Sequence, residues 1–520
     1  MTNNKLIFPD NISESGQLIR ERRAICTHFN KYFTSIADKL NEEKYGDFAS
    51  PRADPDFRDF LKSPVTNTIF LKPIVFSEIS DIIRNLNSNK SSDFSPRILK
   101  LFNYQFSTIL THLFNNCMSN SVFPSELKIA KVLPLFKSGD RNSVSNYRPI
   151  SILPVFSKIF EKVIQSRLTS FFFKEKVLHE GQFGFRSGRS TIQALNTSIC
   201  NILKSLDQKK HTLAIFIDYS KAFDTIQHSI LLQKLYHYGI RGKAYELLAS
   251  YLTGRSQYVH YDQYTFSDSL PITCGVPQGS VLGPLLFILY INDVTSCQCT
   301  CNTTVCTSDC AAKNLFVLFA DDCNTFITDE TLSGAFEKAN ALLCNLKLYI
   351  DANYLHINLG KSKFMLFKTP RSKPNLEADR YTLTYDGYDL ERVKCIKFLG
   401  VFIEESLNWS DHINYVGKKV SKVNGVLFQL RKTAPKMLRI AVFNALVQSH
   451  LSYGILVWGS GAATNKLNKL FINQKKALRN VFGVRRVNKH QHGNTKRVFN
   501  ENNVLTVYGL YYRFILTVGF

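Results

Sequence analysis

The sequence predicts an α+β fold, in which amphipathic helices are interleaved with short apolar strands. Helix-like apolar spacing occurs in FSEISDIIRNLN, and strand-like runs occur in HTLAIFIDYS and LFVLFADDCNTFIT. Hydrophobic residues make up 44% of the 520 residues. A chain of this length and apolar content can fill more than one core, so we expect two or three coupled subdomains.

The predicted elements follow one another in a definite order. Residues 1 to about 60 contain the helix-like stretch ICTHFNKYFTSIADKL, followed by a polar stretch with Pro51 and Pro55 that is typical of a linker. From Ile69 to about Arg255, helices such as ISILPVFSKIFEKVIQSRL alternate with basic loops, and HTLAIFIDYS is the one strand-like run. Downstream, KSKFMLF and KCIKFLGVFI favour strands, and LRIAVFNALVQSHLSYGILVWG favours packed helices.

The chain is strongly basic. It has 65 Lys and Arg against 41 Asp and Glu, a formal charge of +24, which predicts a polyanionic partner such as nucleic acid. No apolar run approaches the roughly 18 residues of a membrane-spanning helix, so we expect no membrane partner. The start MTNNKLIFPDN does not resemble a signal peptide. We therefore expect an intracellular, reducing compartment with most cysteines as thiols, and leave nucleus versus cytoplasm open.

Five of the twelve cysteines are crowded into one short segment, SCQCTCNTTVCTSDC, which begins at Ser296. Thiolates suit zinc, but the alternating C-x-C spacing matches common zinc sites poorly. We therefore interpret residues 296–313 as a flexible surface insertion and keep metal binding as the alternative.

Three acids are placed where they could hold metal ions. Asp321 and Asp322 stand between the apolar runs VLF and FIT, at the tip of a predicted hairpin, and Asp218 ends the strand AIFID. Three carboxylates from two elements can hold two Mg²⁺ ions about 4 Å apart, as phosphoryl transfer requires. Two plainer interpretations stay open, because Asp is common in turns and a strand-end Asp can cap a following helix.

A glycine-rich loop, GVPQGSVLGP from Gly275 to Pro284, precedes the apolar stretch LLFILYIND. Glycine lets a backbone approach a ligand closely, and Ser280 could cap the helix that begins there. The amides at that helix N-terminus would favour a nucleotide or a template strand. A plain Gly-Pro loop entering a buried helix explains the same letters.

Taken in order, F-x-D-x-x-x-A-F-D, G-x-P-Q-G-S-x-L-G-P and F-A-D-D resemble the motifs of LINE-type, jockey-like non-LTR retrotransposon reverse transcriptases. The similarity extends upstream through KVLPLFKSGDRNSVSNYRPISILPVFSKIFEKVI and QFGFRSGRST, and downstream through LGKSKFMLF, FLGVFI and YGILVWG. It therefore covers nearly the whole chain from about Ile69.

The resemblance implies a right-hand polymerase fold with fingers, palm and helical thumb. The expected segments are an N-terminal helical connector and linker at 1–68, fingers and palm at 69–400 with the insertion 296–313, a helical thumb at 401–490 and a C-terminal segment at 491–520. No stretch before residue 60 is long enough for the apurinic-type endonuclease of such elements, so we expect that nuclease to be absent from this chain. Apolar residues running to the C-terminus favour a truncated reading frame.

The resemblance also assigns roles near the acids. Asp218 and Asp321 match the family's metal ligands most directly, and Asp322 matches the third carboxylate. Phe223 matches the aromatic residue that crowds the sugar 2′ position and selects deoxynucleotides, with a core aromatic as the alternative. A further pair, Gln278 and Gly279, matches residues that lie against the incoming nucleotide and the templating base.

Basic residues match the family's phosphate contacts. Arg186 in GFRSGRS matches a fingers arginine near the triphosphate, where the planar guanidinium can donate two hydrogen bonds. Lys137 and Arg148 are further candidates, although an exposed basic residue is usually only solvated. Lys361 aligns with a lysine that can protonate the leaving pyrophosphate, but its neighbour Lys363 leaves the assignment ambiguous.

Two local features complete the comparison with the family. The FLG sequence at Phe398, Leu399 and Gly400 resembles the primer-gripping hairpin. Cys323 follows the paired acids where the family more often has a small hydroxyl residue, a departure that removes no metal ligand.

The function implied by the resemblance is an RNA-directed DNA polymerase that copies retrotransposon RNA. Its partners would be an RNA template, a DNA or RNA primer and deoxynucleoside triphosphates, and its cofactor two Mg²⁺ ions, with Mn²⁺ as the alternative metal. Two rival interpretations are a decayed relic that binds nucleic acid without turnover and an RNA-dependent RNA polymerase, which shares the acids and metals.

Overall fold

The computed structural model describes residues 8–14, 17–45, 56–89, 93–262, 264–298, 314–369, 380–459, 464–484 and 493–518. The α-helices before residue 300 are α1 Arg22–Thr34, α2 Ile36–Tyr45, α3 Phe76–Arg84, α4 Pro96–Leu101, α5 Asn103–Ser119, α6 Val155–Lys174, α7 Thr191–Asp207, α8 His228–His237, α9 Lys243–Leu252 and α10 Gly283–Tyr290. The later α-helices are α11 Leu332–Ala352, α12 Ser410–Thr433, α13 Lys436–Phe443, α14 Ser449–Ser452, α15 Ile455–Trp458, α16 Thr464–Phe482, α17 Gly493–Glu501 and α18 Val507–Val518.

The strands interleave with these helices, so the predicted mixture of helix and sheet is confirmed. They are β1 Ile12–Glu14, β2 Gln17–Ile19, β3 Ile129–Phe136, β4 Tyr147–Ile152, β5 His211–Asp218, β6 Arg255–Val259, β7 Leu270–Ile272, β8 Leu315–Phe319, β9 Asp322–Asp329, β10 Lys363–Phe367, β11 Thr384–Tyr385, β12 Tyr388–Asp389, β13 Glu391–Arg392, β14 Cys395–Phe398 and β15 Val401–Glu404. Among the described helices, none combines the length and the apolar character needed to cross a bilayer.

A five-stranded sheet with the order β13-β10-β5-β9-β8 forms the centre of the molecule. Side chains along β5 alternate between two hydrophobic cores: Leu213, Ile215 and Ile217 enter one, and Ala214 and Phe216 enter the other. Because successive side chains of a strand point to opposite faces, this alternation shows that both faces of the sheet are covered. Because both of its faces are buried, β5 is an almost continuous apolar run.

A four-stranded sheet with the order β4-β3-β6-β7 lies beside the first. One face packs on helix α1, where Phe29 contacts a cluster containing Val132, Tyr147 and Val259. Burial alternates along β4, and Arg148 lies on the exposed face. One covered and one open face give the alternating pattern that is common in sheets of this kind.

The helices after residue 400 pack against one another. α12 packs along α16, and α18 contacts α14, α15 and α16. The predicted packed helices of the LRIAVF to LVWG stretch are confirmed, with a π-helical turn at Asn444–Gln448 inside them. These helices share a hydrophobic core with one face of the five-stranded sheet.

The strand prediction before Arg255 was incomplete. Two strands, β3 and β4, precede β5, and the predicted helix ISILPV…RL begins only at Val155, because its first letters belong to β4. Proline disfavours helix at the residue before it and lacks an N–H, so Pro154 prevents the helix from extending back through Leu153. Pro134 and Pro149 face each other across β3 and β4.

The predicted insertion 296–313 does not begin at Ser296. The segment Asn292–Gln298 forms a 3₁₀ helix, and Cys297 is buried in the core that contains α10 and α11. A reduced cysteine behaves as a small hydrophobic residue, which explains why Cys297 continues the core. The remaining clustered cysteines, and Pro51 and Pro55 of the predicted linker, lie outside the described residues. Every cysteine in the described part of the chain is a free thiol.

Candidate active site

The three predicted carboxylates lie at one end of the five-stranded sheet. Strand β5 ends at Asp218 and β9 begins at Asp322, and these two residues face each other in the β5–β9 register. Asp321 occupies the second position of the two-residue turn that joins β8 to β9, after Ala320. The sequence therefore brings the acids of two separate motifs to the same place.

The acidic turn is held by the segment at residues 181–184. Ala320 has a φ of 57°, in the left-handed region that costs a non-glycine residue energy. Phe183 N–H donates to the Leu318 carbonyl at 2.8 Å, and Leu318 N–H donates to the Gly181 carbonyl at 2.8 Å. A Cβ on Gly184 would lie 2.2 Å from the backbone nitrogen of Ala320. Only glycine allows this close approach, which explains the glycine in the FGF sequence at residues 183–185.

The acids repel one another. Desolvation and, after it, the negative charges of Asp321 and Asp218 raise the pKa of Asp322 to about 6. Such crowded carboxylate oxygens match the hard ligands that Mg²⁺ prefers. In the described part of the chain no three His, Cys, Asp or Glu side chains form a preassembled metal-binding group. The donor chemistry fits a divalent cation, and the three side chains would have to move closer to one another to surround it.

Lys361, and not Lys363, reaches the acids. The Lys361 ammonium lies 3.2 Å from Asp218 Oδ2, while Lys363 forms an ion pair with Glu391 on β13. The loop that carries Lys361 is fixed because Asn358 N–H donates to the Asp218 carbonyl at 2.8 Å. Of the two lysines in the KSK sequence, Lys361 is therefore the one beside the acids, and its role as a proton donor stays a prediction.

Cations from the four-stranded sheet approach the same point. Burial, and then the positive charges of Lys361 and Arg148, lower the pKa of Lys137, while Asp218 acts in the opposite direction. Lys221, three residues after Asp218, was not predicted. Its pKa is lowered by burial and by Arg148 and Lys361, against the effect of Asp224. The charges of Lys137, Lys221, Arg148 and Lys361 therefore act on one another, and Lys137 and Lys361 also interact with Asp218.

The glycine-rich loop is fastened to β4. Ser151 N–H donates to the Gln278 carbonyl at 2.9 Å. Gly279 has a φ of 137°, and a Cβ at this position would lie 2.3 Å from the Ser151 carbonyl oxygen. Ser280 Oγ accepts from the N–H of Gly283, the first residue of α10, at 2.9 Å, but the residue in the N-cap position is Leu282, so Ser280 bonds the start of the helix from two residues before its cap. This loop connects the edge strand β4 of one sheet to α10, which packs in a core of the other.

Asp224 holds the side chain of Gln278. The Gln278 amide donates to both Asp224 oxygens at 3.0 Å. Burial raises the pKa of Asp224 to about 6, although Gln278 and Lys221 act to lower it. The role of Asp224 was not predicted. One indication of it was present in the sequence, because Asp224 is the last residue of the F-x-D-x-x-x-A-F-D motif.

Phe223 is half-buried and stacks on Phe287 of α10, with ring centroids 4.5 Å apart. Val276 N–H donates to the Phe223 carbonyl at 2.8 Å, which joins this residue to the glycine-rich loop. One side of the ring thus belongs to the core, as the alternative interpretation expected. Its role in sugar selection stays a prediction.

Arg186 is engaged within its own loop. Its guanidinium donates to the His179 carbonyl at 3.0 Å and to Glu180 at 3.1 Å, and Arg189 also pairs with Glu180. The loop lies against the acidic turn through Gly184. The backbone is therefore placed beside the acids, while the Arg186 side chain is turned toward residues 179–180.

The FLG sequence forms the predicted hairpin. β14 and β15 pair antiparallel around Leu399 and Gly400, whose φ values of 43° and 85° match a tight two-residue turn. The Tyr453 hydroxyl donates to the Leu399 carbonyl at 2.6 Å, and Phe398 packs on Phe216 of β5. The hairpin is thereby anchored both to the central sheet and to the C-terminal helices.

Glu161 of α6 was also missed. It is fully buried and accepts from the N–H groups of Val281 at 2.6 Å and Leu282 at 3.0 Å, and from the Ser157 hydroxyl at 3.0 Å. These amides lie at the start of α10, where a carboxylate is stabilised by the helix dipole. In the sequence Glu161 is one acid in an amphipathic helix, and nothing there indicated its burial.

The chain matches a known protein family and several curated relatives. Residues 137–403 match the family described as reverse transcriptase (RNA-dependent DNA polymerase). The chain is 27% identical over 441 residues to the probable RNA-directed DNA polymerase from transposon BS of Drosophila melanogaster, covering 84% of the chain and 47% of that protein.

Similar relatives are the RNA-directed DNA polymerase from mobile element jockey (27% identical; 82% of this chain, 46% of that protein) and the probable polymerase from transposon X-element (25%; 86% and 48%), both of Drosophila melanogaster. The chain spans about half the length of the curated relatives it matches. It therefore belongs to the reverse transcriptase family, and the predicted kinship with the polymerases of non-LTR retrotransposons is confirmed.

Proposed function

We propose that this chain synthesises DNA on an RNA template, with retrotransposon RNA as the copied strand. The observation that carries the proposal is the pairing of Asp218 with Asp322 at one end of a sheet, with Asp321 in the adjoining turn and cations around them. Acids that bind metal beside cations that bind phosphate are the two requirements of nucleotidyl transfer.

Within this proposal the molecule has the right-hand polymerase fold. The five-stranded sheet is the palm, the four-stranded sheet with the α3 to α6 region forms the fingers, and the helices from α12 to α16 are the thumb. Exposed lysines support the last assignment, since α12 and α16 carry them on their outer surfaces: Lys418, Lys419, Lys422, Lys469 and Lys476. Such lysines suit the backbone of a primer–template duplex.

Asp218, Asp321 and Asp322 would hold two Mg²⁺ ions, or Mn²⁺ in their place. When bound, such ions make a 3′ hydroxyl a better nucleophile and neutralise a departing pyrophosphate. The Lys361 ammonium, already at the edge of this site, would deliver a proton to that leaving group. Lys137 and Arg148 would bind the triphosphate, and Arg186 would join them after leaving Glu180.

The glycine-rich loop would receive the base pair being formed. Gln278 and Gly279 lie where the two sheets meet, and Asp224 fixes the Gln278 amide so that it presents a constant surface. Phe223, with one side of its ring stacked on Phe287, would exclude a ribose 2′ hydroxyl. The hairpin at Phe398, Leu399 and Gly400 would hold the primer end.

Primer extension tests the proposal. We expect a labelled primer on a defined RNA template to be extended with deoxynucleotides only when Mg²⁺ is present, and Asp321→Asn to abolish extension while RNA affinity is retained. Asp389→Asn, an exposed aspartate on β12, is the matched control and should extend normally. Unchanged synthesis by Asp321→Asn would refute the metal assignment, and salt-sensitive RNA binding without any extension by the parent would indicate a decayed relic.

Nucleotide choice separates the polymerase classes. The parent should prefer deoxynucleotides, and Phe223→Ala should incorporate ribonucleotides more readily because the ring no longer fills the space beside the sugar. Ribonucleotide use by the unaltered chain at the deoxynucleotide rate would instead favour an RNA-dependent RNA polymerase.

A further inference from the structure

The N-terminal helices α1 and α2 are fastened to the body of the molecule. On the four-stranded sheet, the fully buried Asn30 donates to the carbonyls of Gln257 and Asp268 at 3.1 and 2.9 Å, and accepts from the Gln257 amide at 3.1 Å. A buried amide with its hydrogen bonds satisfied fixes the position of a helix, because misplacement would leave polar groups unpaired.

A second attachment leads to the loop after Asp218. Buried Asn41 of α2 bonds the ring of His356 at 3.0 Å, and the His356 carbonyl accepts from the Ser220 N–H at 2.8 Å. Ser220 directly precedes Lys221. The N-terminal helices α1 and α2 therefore support, from outside, the loop that carries the candidate phosphate-binding cation.

Tyr32 of α1 lies at the point of contact with that loop. The Lys221 ammonium lies 5.7 Å from the centre of the Tyr32 ring, within the range of a cation–π interaction, and Lys39 approaches the same ring at 5.9 Å. Tyr32 is half-buried, and burial followed by the charge of Asp224 raises its pKa. The tyrosine is thus neutral and presents its ring to the lysine.

Lys221 needs such support. Its φ is 50°, in the left-handed region, so the loop holds it in a conformation that it does not prefer. A lysine side chain also has many rotamers, and its ammonium is attracted by buried Asp224 and repelled by Arg148 and Lys361, so charge alone does not direct it toward the site. An aromatic ring beside the ammonium limits these rotamers without neutralising the charge.

We propose that the N-terminal helices α1 and α2 are a working part of the nucleotide site, and that Tyr32 is a positioning residue that holds Lys221 toward the triphosphate of the incoming deoxynucleotide. This inference deepens the proposed polymerase function and rests on it. Lys221 is then a triphosphate contact, and Tyr32 acts only through Lys221.

Steady-state primer extension by the full chain, with varied deoxynucleotide concentration, tests this assignment. Tyr32→Ala should raise the deoxynucleotide KM by roughly three- to tenfold with kcat much less changed, since a cation–π contact orients the ammonium. Tyr32→Phe keeps the ring and should restore the parental KM. Lys221→Ala should raise KM at least as much, and adding Tyr32→Ala to it should have no further effect.

Three outcomes would overturn the assignment. These are an unchanged KM in Tyr32→Ala, additive effects in the double variant, and a Tyr32→Ala defect confined to Tm and kcat, which would show a purely structural role. Tyr104→Ala, which removes an exposed tyrosine of α5, is the matched control and should leave KM unchanged.

Equilibrium binding of a deoxynucleoside triphosphate to the same proteins separates the two proposals. Parental binding that Tyr32→Ala weakens and Tyr32→Phe preserves supports the inference. Parental binding that Tyr32→Ala leaves unchanged defeats the inference alone. A parent that neither binds nor incorporates deoxynucleotides defeats the proposed function, and the inference with it.

Discussion

The two sheets that meet at the candidate site are built differently. The five-stranded sheet is buried on both faces and supplies the acids, at the end of β5 and in the turn before β9. The four-stranded sheet is covered on one face by α1, leaves the other open and supplies Lys137 and Arg148. One sheet carries the negative charge of the site and the other much of its positive charge.

This difference separates two physical demands. Metal ligands need fixed positions, and a strand packed on both faces has little freedom to shift. Phosphate-binding cations must instead meet a ligand that arrives and leaves, and an open sheet face gives it access. The glycine-rich loop, bonded to β4 and leading into α10, keeps the two surfaces at a constant separation.

The largest effect is expected where that loop is anchored. Glu161→Ala should lower the free energy of unfolding by about 3–5 kcal/mol, because it leaves two buried N–H groups without an acceptor and removes the charge beside buried Arg255. Glu161→Gln keeps an acceptor oxygen and should lose much less. Chemical denaturation measures both, and equal losses would show that the charge, and not the hydrogen bonds, secures the loop.

The next effect concerns Lys361, which lies beside Asp218 in the loop before β10. Lys361→Ala should reduce kcat by at least about 100-fold if Lys361 is the general acid. Lys363→Ala removes only an ion pair with an exposed glutamate, so its activity should stay near that of the parent. Single-turnover extension compares them, and similar rates for all three proteins would remove Lys361 from the mechanism.

A smaller effect tests how firmly the acids are held. Gly184→Ala places a methyl group against the backbone of Ala320 and should lower the free energy of unfolding by about 1–3 kcal/mol, with a loss of extension as the acidic turn shifts. Gly425→Ala, in open space on α12, is the control and should be neutral or stabilising. Full activity in Gly184→Ala would show that the turn tolerates displacement.

The smallest effect is a pH dependence. Burial raises the pKa of Asp224 from its ordinary value of 3.8 to about 6, so the folded chain binds this proton more tightly than the unfolded chain does. The parent should therefore lose stability as pH rises from about 4 to about 6. Asp224→Asn lacks this titration, so its stability relative to the parent should increase over that interval. Parallel denaturation curves for the two proteins at each pH would contradict the shift.

Sequence patterns predicted the elements that follow one periodicity. The alternating or continuous apolar runs of β5, β8, β9 and β10 were recognised, and so was the hairpin at Leu399 and Gly400. β3 and β4 were missed, although they pair with each other across a ten-residue connection. β3 also pairs with β6, more than 100 residues away in the chain, and such a distant partner leaves no local signal. The order of the family motifs along the chain identified Asp218, Asp321 and Asp322 as the three acids of the candidate site.

Residues that act through others were not predicted. Glu161, Lys221 and Tyr32 stand in ordinary helical or loop contexts, and their importance depends on what the fold places beside them. The N-terminal helices were interpreted as a connector because their sequence shows only amphipathic spacing. Hydrophobic periodicity does not predict contacts between side chains that are distant in sequence. A family motif identifies only the positions that its members share.

The turn between β8 and β9 has only two residues, and this length makes the site sensitive to genetic damage of one kind. Deleting a single codon within β9 would keep the reading frame and leave most of the strand intact. If the residues before the deletion kept their pairing, the side chains after it would point to the opposite faces of the sheet. If the residues after it kept theirs, Asp322 would lose its position opposite Asp218. A mobile element copied with such a lesion could encode a chain of nearly normal length that no longer places its acids together.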